Sequence, residues 1–368
     1  MPSRIRCVGF FPGLGSRAAY KDADRGLLKS AFPTVRKIYV DAAETLRCDP
    51  QDFFAIPDNL TALERHGLIG ATVLVQSLSL REHLKVAASA GLMDLEFAAY
   101  TGESFGIITS AVAAGAISCN DGVKIANIFT PLMMLAADGL GIDEPFAQRN
   151  MAYLIDLLEG ERLVAEPSHV IALHGGAAEL QDALREILKS YSKADVEVHK
   201  LYSPRQTNIY VRAGVRADFE NFMKNYPAVS VMELKAPTTF LAHSERMHRV
   251  RLALDRYIEE GDILFRNPIT PLVSNDRAAL LTTADEVREA ILAITDRVMA
   301  SMDTIRVIRA LDPDVIIELG HGNKSVQLIV DNDVPIPAIG YTGTSLAAVR
   351  LLGAMKTARG IDKRWMDS

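Results

Sequence analysis

Short apolar runs alternate with stretches of helical period along most of this chain, the pattern of an α/β protein. Arg4 to Phe11 predicts a buried first strand, closed by Pro12-Gly13-Leu14-Gly15-Ser16-Arg17. Two glycines there either aim backbone N–H groups at a ligand or make a plain strand-to-helix turn with Ser16 as its cap. Helices are expected over Val35 to Leu46 and Leu68 to Leu84. Apolar residues from Leu95 then lead into Tyr100-Thr101-Gly102-Glu103-Ser104-Phe105-Gly106, and the helix-forming run Ile107 to Ala116 leads out. A further helix, capped by Asn120-Asp121, carries Val123, Ile125, Ala126, Phe129 and Leu132.

After Glu161 the texture changes. Val170 to Leu173 reads as a strand, Leu180 to Leu188 as a helical stripe, and Val196, Val198 and Leu201 alternate as a strand does. Ile209 and Val211 follow as a strand, Phe219 to Met223 as a helix, and Val229, Val231 and Leu234 as a last strand. That βαββαβ order predicts a small inserted ferredoxin-like subdomain over about 166–236, with Pro167 and Pro237 at its junctions. Residues 1–165 and 237–368 then form a large α/β-hydrolase-like subdomain with a mostly parallel sheet. In its second half Met247 to Ile258 reads as a helix and Pro271-Leu272-Val273-Ser274-Asn275 as a strand ending in a polar turn. Asp285 to Met302 reads as one long helix, Val315 to Leu319 as a buried strand, and Thr344 to Thr357 as a helix.

Composition narrows the class. A net charge of -6 argues against nucleic acid and against an anionic membrane surface as partners. No stretch approaches the roughly 20 apolar residues of a membrane span, and Met1 to Arg6 lacks the apolar core of a signal peptide. Three widely spaced cysteines show no metal-like pairing, so a reduced, cytoplasmic setting is expected.

The chemistry centres on Gly102-Glu103-Ser104-Phe105-Gly106. Strand, tight turn and helix with Ser at the tip make a G-x-S-x-G nucleophile elbow, where glycines let strand and helix approach. Its plain alternative is a serine capping a buried helix. A serine hydroxyl needs a base, usually His. Of eight histidines, His66, His83 and His199 read as surface residues, His169 and His174 flank a strand, and His248 lies in a charged helix. His243 and His321 each follow an apolar strand. Spacing favours His321 on an α/β-hydrolase reading, with Asp262 as the acid; His243 is the alternative, and periodicity does not separate them.

Several motifs together resemble the malonyl-CoA:acyl-carrier-protein transacylases, the acyltransferases of fatty-acid and polyketide synthesis. Phe11-Pro12-Gly13-Leu14-Gly15-Ser16 is similar to that family's F-P-G-Q-G-S loop. Gly102 to Gly106, followed by Ala113-Ala114-Gly115-Ala116-Ile117-Ser118, resembles its G-H-S-x-G elbow and A-A-G-x-x-S helix end. Tyr202-Ser203-Pro204-Arg205-Gln206 resembles N-S-P-G-Q, His243 to Met247 matches H-S-x-x-M, Pro271 to Asn275 reproduces P-L-V-S-N, and Glu318 to Gly322 resembles E-x-G-P-G. Order and spacing cover nearly the whole chain. The resemblance implies the two-part fold already read from the pattern. It makes Ser104 the nucleophile and His243 the base, and leaves His321 in the slot of a structural proline. It also implies an oxyanion hole from the backbone N–H groups of Leu14 and Phe105, with no acid required behind the histidine.

The departures concern specificity. Leu14 stands where the family has Gln, and Glu103 where it has His before the nucleophile. Glu103 is either an exposed structural residue or an electrostatic influence on the base. Phe129 aligns with the Arg that grips the malonyl carboxylate, and Ile125 to Met134 contains no basic residue. Ile294 aligns with a conserved Gln. Phe240-Leu241-Ala242-His243 differs from the patterns tied to malonyl or methylmalonyl selection. Together with Gln206 and Asn275, residues Phe129, Leu241, Ala242 and Ile294 are the implied acyl and substrate contacts. The expected protein is an acyltransferase in polyketide or related metabolism that moves an acyl group other than malonyl from coenzyme A or a carrier protein to a carrier-protein thiol. No metal or bound cofactor is expected. An editing acyl-thioester hydrolase on the same residues and a weakly active carrier-protein-binding subunit are the alternatives.

Overall fold

The computed structural model describes residues 4–14, 32–90, 94–138, 153–154, 156–158, 166–238, 240–320 and 324–343. The strands among them are, in chain order, β1 (Arg4–Phe11), β2 (Asp94–Gly102), β3 (Ser168–His174), β4 (Val196–Ser203), β5 (Gln206–Arg212), β6 (Ser230–Thr238), β7 (Leu272–Val273), β8 (Leu280–Leu281), β9 (Met299–Ala300), β10 (Val315–Leu319) and β11 (Ala338–Tyr341). They form two sheets, ordered β11-β10-β1-β2-β7-β8 and β6-β3-β5-β4-β9.

The first sheet is parallel except for the short β7–β8 pair. Helices cover its faces, so its central strands are apolar on both sides, and β10 is buried at every position. The helices Pro33–Leu46, Ala62–Ala90 and Cys119–Asp138 pack into the same continuous core as Phe11, Tyr100, Leu272 and Ile317. C-terminal strand ends gather at one edge, where an open α/β sheet delivers its functional groups.

In the second sheet β6, β3, β5 and β4 are antiparallel neighbours. One face packs Ile171, Leu173, Ile209 and Val211 against Leu180, Ala183 and Ile187 of the helix Ala177–Ser190 and against Phe219 of the helix Arg216–Met223. The other face turns to the first sheet, where Val170 and Tyr210 join the larger core. Pro237 does not end regular structure but lies inside β6, at the sheet edge where a residue without an N–H costs no ladder bond.

One expected helix is broken. The reading of Asp285 to Met302 as continuous is corrected by a helix Ala284–Asp296, the strand β9 and a second helix Ser301–Ala310. Apolar residues keep a helical period across the break, which hid it. Arg297 nonetheless takes extended dihedrals of -110° and 143°. The chain then finds sheet partners instead, with β9 pairing parallel to β4 and the Ala300 N–H donating to the Asn275 carbonyl at 2.7 Å. Other differences are smaller. The helix Cys119–Asp138 is capped from Ser118, whose Oγ accepts the Asp121 N–H at 3.1 Å. The Leu68–Leu84 segment extends to Ala62–Ala90, and β8, β11 and the helix Lys324–Asp331 were not anticipated. The helix expected at Thr344 to Thr357 lies outside the described residues, as does His321.

Candidate active site

The elbow forms because two glycines leave no side chain where backbones must touch. A Cβ on Gly102 would lie 2.5 Å from the Gly106 carbonyl carbon, and one on Gly106 would lie 2.2 Å from the Phe11 carbonyl oxygen. The Glu103 N–H donates to that Phe11 oxygen at 2.9 Å, tying the turn to the end of β1. Ser104 is held at φ 53°, a left-handed conformation that a side-chain-bearing residue adopts only under constraint. The reading of Ser104 as an ordinary helix cap does not hold, since Phe105 is the N-cap residue of the helix Gly106–Ala113, which has no side-chain cap. The Phe105 N–H belongs to the orphan donors of that helix start. Gly13 packs against the elbow, where a Cβ would come within 2.7 Å of the Glu103 oxygen, so Leu14 follows directly beside it.

His243 is the histidine brought to the serine. Its Nε2 lies 2.7 Å from Ser104 Oγ, and its Nδ1 lies 3.1 Å from the carbonyl oxygen of Arg297. The second contact places the proton on Nδ1, leaving the Nε2 lone pair facing the hydroxyl. His243 too is held at positive φ, 67°. Its N–H donates to the carbonyls of Thr295 and Ile294 at 2.9 and 3.2 Å. Burial pushes the imidazole down to about 4; the Arg297 carbonyl works against this, Lys200 adds to it, and Glu103 and Asp276 oppose it. The ring is therefore neutral and ready to accept a proton at neutral pH. Asp262, the acid of the alternative reading, instead closes the end of the helix His248–Glu260, its N–H donating to the Glu259 carbonyl at 3.2 Å.

Most of the other expected residues surround this pair. Asn275 Nδ2 donates to the Ser104 carbonyl at 3.1 Å, so it supports the elbow from the turn after β7. Phe129 is fully buried edge-on to Phe105, ring centroids 5.8 Å apart. Leu241 is buried and Ala242 half-buried beside the base, with the Ala242 carbonyl accepting the Tyr210 hydroxyl at 2.9 Å. Ile294 is buried and serves His243 through its carbonyl. Gln206 is committed on its own strand, donating to Asn208 Oδ1 at 2.9 Å.

Two histidine assignments and one acid assignment are corrected. His199 is not a surface residue but is buried and stacked on Tyr210, centroids 4.1 Å apart, and His83 is half-buried against the Tyr341 hydroxyl. Glu103 is not exposed: its side chain is 18% accessible and forms an ion pair with Lys200 of β4. Sequence reading missed Lys200, Arg297, Asp276 and Glu197, all of which act on the histidine or its loop. Among the described residues no group of three or more His, Cys, Asp or Glu is placed to hold a metal ion, and no helix is long and apolar enough to cross a membrane.

No family model and no curated protein matches this chain. Solved structures match it along nearly its whole length. The malonyl CoA-acyl carrier protein transacylase from Coxiella burnetii is similar at TM-score 0.71 and 18% identity, over 95% of this chain and 98% of that one. The MCAT from Streptococcus pneumoniae is similar at TM-score 0.71 and 16% identity, over 94% and 99%. The malonyl-transacylase PlMCAT, solved in complex with the type II PKS acyl-carrier protein AntF, is similar at TM-score 0.69 and 18% identity, over 96% and 98%. The chain has the fold of these transacylases, as its motifs implied, and stands far from them in sequence.

Proposed function

We propose that the protein is an acyltransferase that takes an uncharged acyl group from a coenzyme A or carrier-protein thioester and passes it, through an acyl-Ser104 intermediate, to a carrier-protein thiol. The observation that carries this reading is the 2.7 Å contact between Ser104 Oγ and His243 Nε2 on a strained elbow in the fold of known transacylases. The PlMCAT complex supports a carrier protein as partner, and the three unpaired thiols Cys7, Cys48 and Cys119 fit a cytoplasmic setting. The strand order β6-β3-β5-β4 with two intervening helices supports reading residues 166–236 as a ferredoxin-like insertion, to which β9 is added from outside.

In the mechanism, Ser104 Oγ attacks the thioester carbonyl as His243 Nε2 takes its proton. Negative charge moves to the carbonyl oxygen, towards the N–H groups of Phe105 and Leu14. The same charge raises the proton affinity of a ring that burial otherwise depresses, so the proton transfers as the tetrahedral intermediate forms. The C–S bond breaks, His243 returns the proton to the leaving thiolate, and the acyl group stays on Ser104. An incoming carrier-protein thiol then reverses these steps. Serine, imidazole and backbone suffice, so the reading needs no metal or redox cofactor.

Phe129 sets the acyl class. Enclosing a malonyl carboxylate without a cation costs several kcal/mol, whereas an aromatic wall offers about 1.5–3 kcal/mol to an apolar chain. Intact-protein mass spectrometry with a panel of acyl thioesters tests the reading. An adduct on the parent that is lost in Ser104→Ala is expected; an adduct that persists removes the central assignment. Discharge of the acyl-enzyme to water as fast as to a carrier thiol would make the protein a thioester hydrolase instead.

A further inference from the structure

Strand β4 touches every segment from which the dyad is built. Its Lys200 pairs with Glu103, the residue before Ser104, with side chains only 9% and 18% exposed. Glu197, 6% exposed, accepts the Ser244 hydroxyl, the Glu245 N–H at 2.8 Å and Arg246 Nε at 3.2 Å. It therefore clamps the turn that follows His243. By its backbone, β4 pairs with β9 with Lys200 opposite Met299, two residues after the carbonyl of Arg297 that orients the base. The register shift between Val198 and Lys200 turns Lys200 to the same side as Glu197, while Val196 and Val198 face the small core.

Packing does not account for these charges. Desolvating two ions costs more than an apolar pair of the same volume, so a buried ion pair is a poor device for stability alone. The cavity beside it is about 10 Å³, walled by Glu103, Lys200, Tyr202, Asn275, Met299 and Thr304. It has room for about one water and none for an acyl chain, so the pair is not itself a substrate subsite.

We propose that β4 is the positioning element of the dyad: Lys200 and Glu197 hold the Ser104 elbow and the His243 turn in register, and the Lys200–Glu103 pair sets the charge around the base. This rests on reading Ser104 and His243 as nucleophile and base. The charged groups facing His243 are Lys200 from β4, Glu103 from the elbow and Asp276 from the turn after β7. The Arg297 guanidinium is taken up by Asp276 and Glu289, and that of Arg246 by Glu197. Lys200 disfavours a protonated ring and Glu103 favours it, so removing each moves the base in opposite directions.

Single-turnover acylation of Ser104 by an uncharged thioester is followed from about pH 4 to about pH 8 in the parent, Lys200→Met, Glu103→Gln and the double variant. The acid limb is expected to rise in Lys200→Met, to fall in Glu103→Gln and to lie between them in the double. The first unit of rise from about 4 cuts the neutral ring at pH 4 about fivefold. Rates lowered by one factor at every pH, with the limb unmoved, overturn the proposal and leave a packing contact. Should Lys200→Met fail to fold, the double variant against Glu103→Gln reads the same cation, and the limb must lie higher in the double. Glu197→Ala is expected to lower kcat about tenfold or more with KM unchanged, and Glu197→Gln to restore part of it; an unchanged kcat in Glu197→Ala overturns that half. If no thioester acylates the parent, the acyl-transfer reading falls. The His243 ring titration by NMR, moving up in Lys200→Met and down in Glu103→Gln, then still decides the role of β4.

Discussion

The carbonyl oxygen of Arg297 lies 3.1 Å from Nδ1 of His243, in the place where a serine hydrolase commonly sets a carboxylate. A main-chain acceptor fixes tautomer and ring orientation without adding a full negative charge beside the base. It is available because the chain leaves the helix Ala284–Asp296 at Arg297, whose carbonyl is then free of any helical partner. The Arg297 side chain is anchored by Asp276 at 3.4 Å and Glu289 at 2.6 Å, which steadies the peptide it belongs to.

This predicts a graded response at the base. His243→Ala should cut the acylation rate by roughly 10²–10⁴-fold, the range for losing general-base help. Arg297→Ala keeps the carbonyl and loses two ion pairs of a half-exposed guanidinium, so it should cost no more than about tenfold. Single-turnover kinetics on both variants checks the order. A larger loss in Arg297→Ala would mean that the guanidinium itself meets the substrate.

Stability should carry the signature of the same ring. The folded value is depressed to about 4 from an ordinary 6.5. Below 6.5 the unfolded chain therefore binds a proton that the folded one refuses. The stabilisation is complete above pH 6.5 and is lost as pH falls towards 4, by roughly 3 kcal/mol at most. His83, also lowered by burial, contributes with the same sign. Urea melts at several pH values should thus show a steeper acid loss in the parent than in His243→Gln. Equal slopes would place the titration elsewhere.

Much of the site was legible in sequence because local rules produce it. Gly102 and Gly106 are needed by the turn itself, and β1 and β2 are apolar because both faces are covered. What stayed hidden depends on a second layer. Glu197 and Lys200 sit on an alternating strand, where polar positions read as a solvent face; only the turn Ser244 to Arg246 and the elbow residue Glu103, brought over them by the fold, bury them. His199 is hidden by stacking on Tyr210 of the neighbouring strand β5. Arg297 was missed for a different reason, because the apolar period of the helix continues past it into β9 and masks the break. Ser104 and His243 were tied together by motif resemblance, since spacing pointed to His321 on a hydrolase reading and periodicity did not separate the two.

The last prediction concerns Phe129. It packs edge-on to Phe105, the residue after the nucleophile, within the apolar cluster that includes Ile125, Ile128 and Leu132. A malonyl carboxylate delivered against that wall would lose its water and meet no cation from this helix, which has no basic residue from Ile125 to Met134, while Lys200 is already paired with Glu103. Malonyl-CoA should therefore acylate Ser104 poorly and an uncharged acyl thioester well. Phe129→Arg should raise the malonyl preference, its planar fork suiting a carboxylate. The gain should be partial, because Ile294, Leu241 and Ala242 still shape the apolar surroundings of the base. An Arg buried without its ligand costs stability, so a melt must accompany the kinetics. The deciding quantity is the ratio of kcat/KM for malonyl to that for the uncharged chain, in parent and variant. A parent that prefers malonyl would sink the specificity argument and require another basic residue at the pocket, with Arg205 the first to substitute.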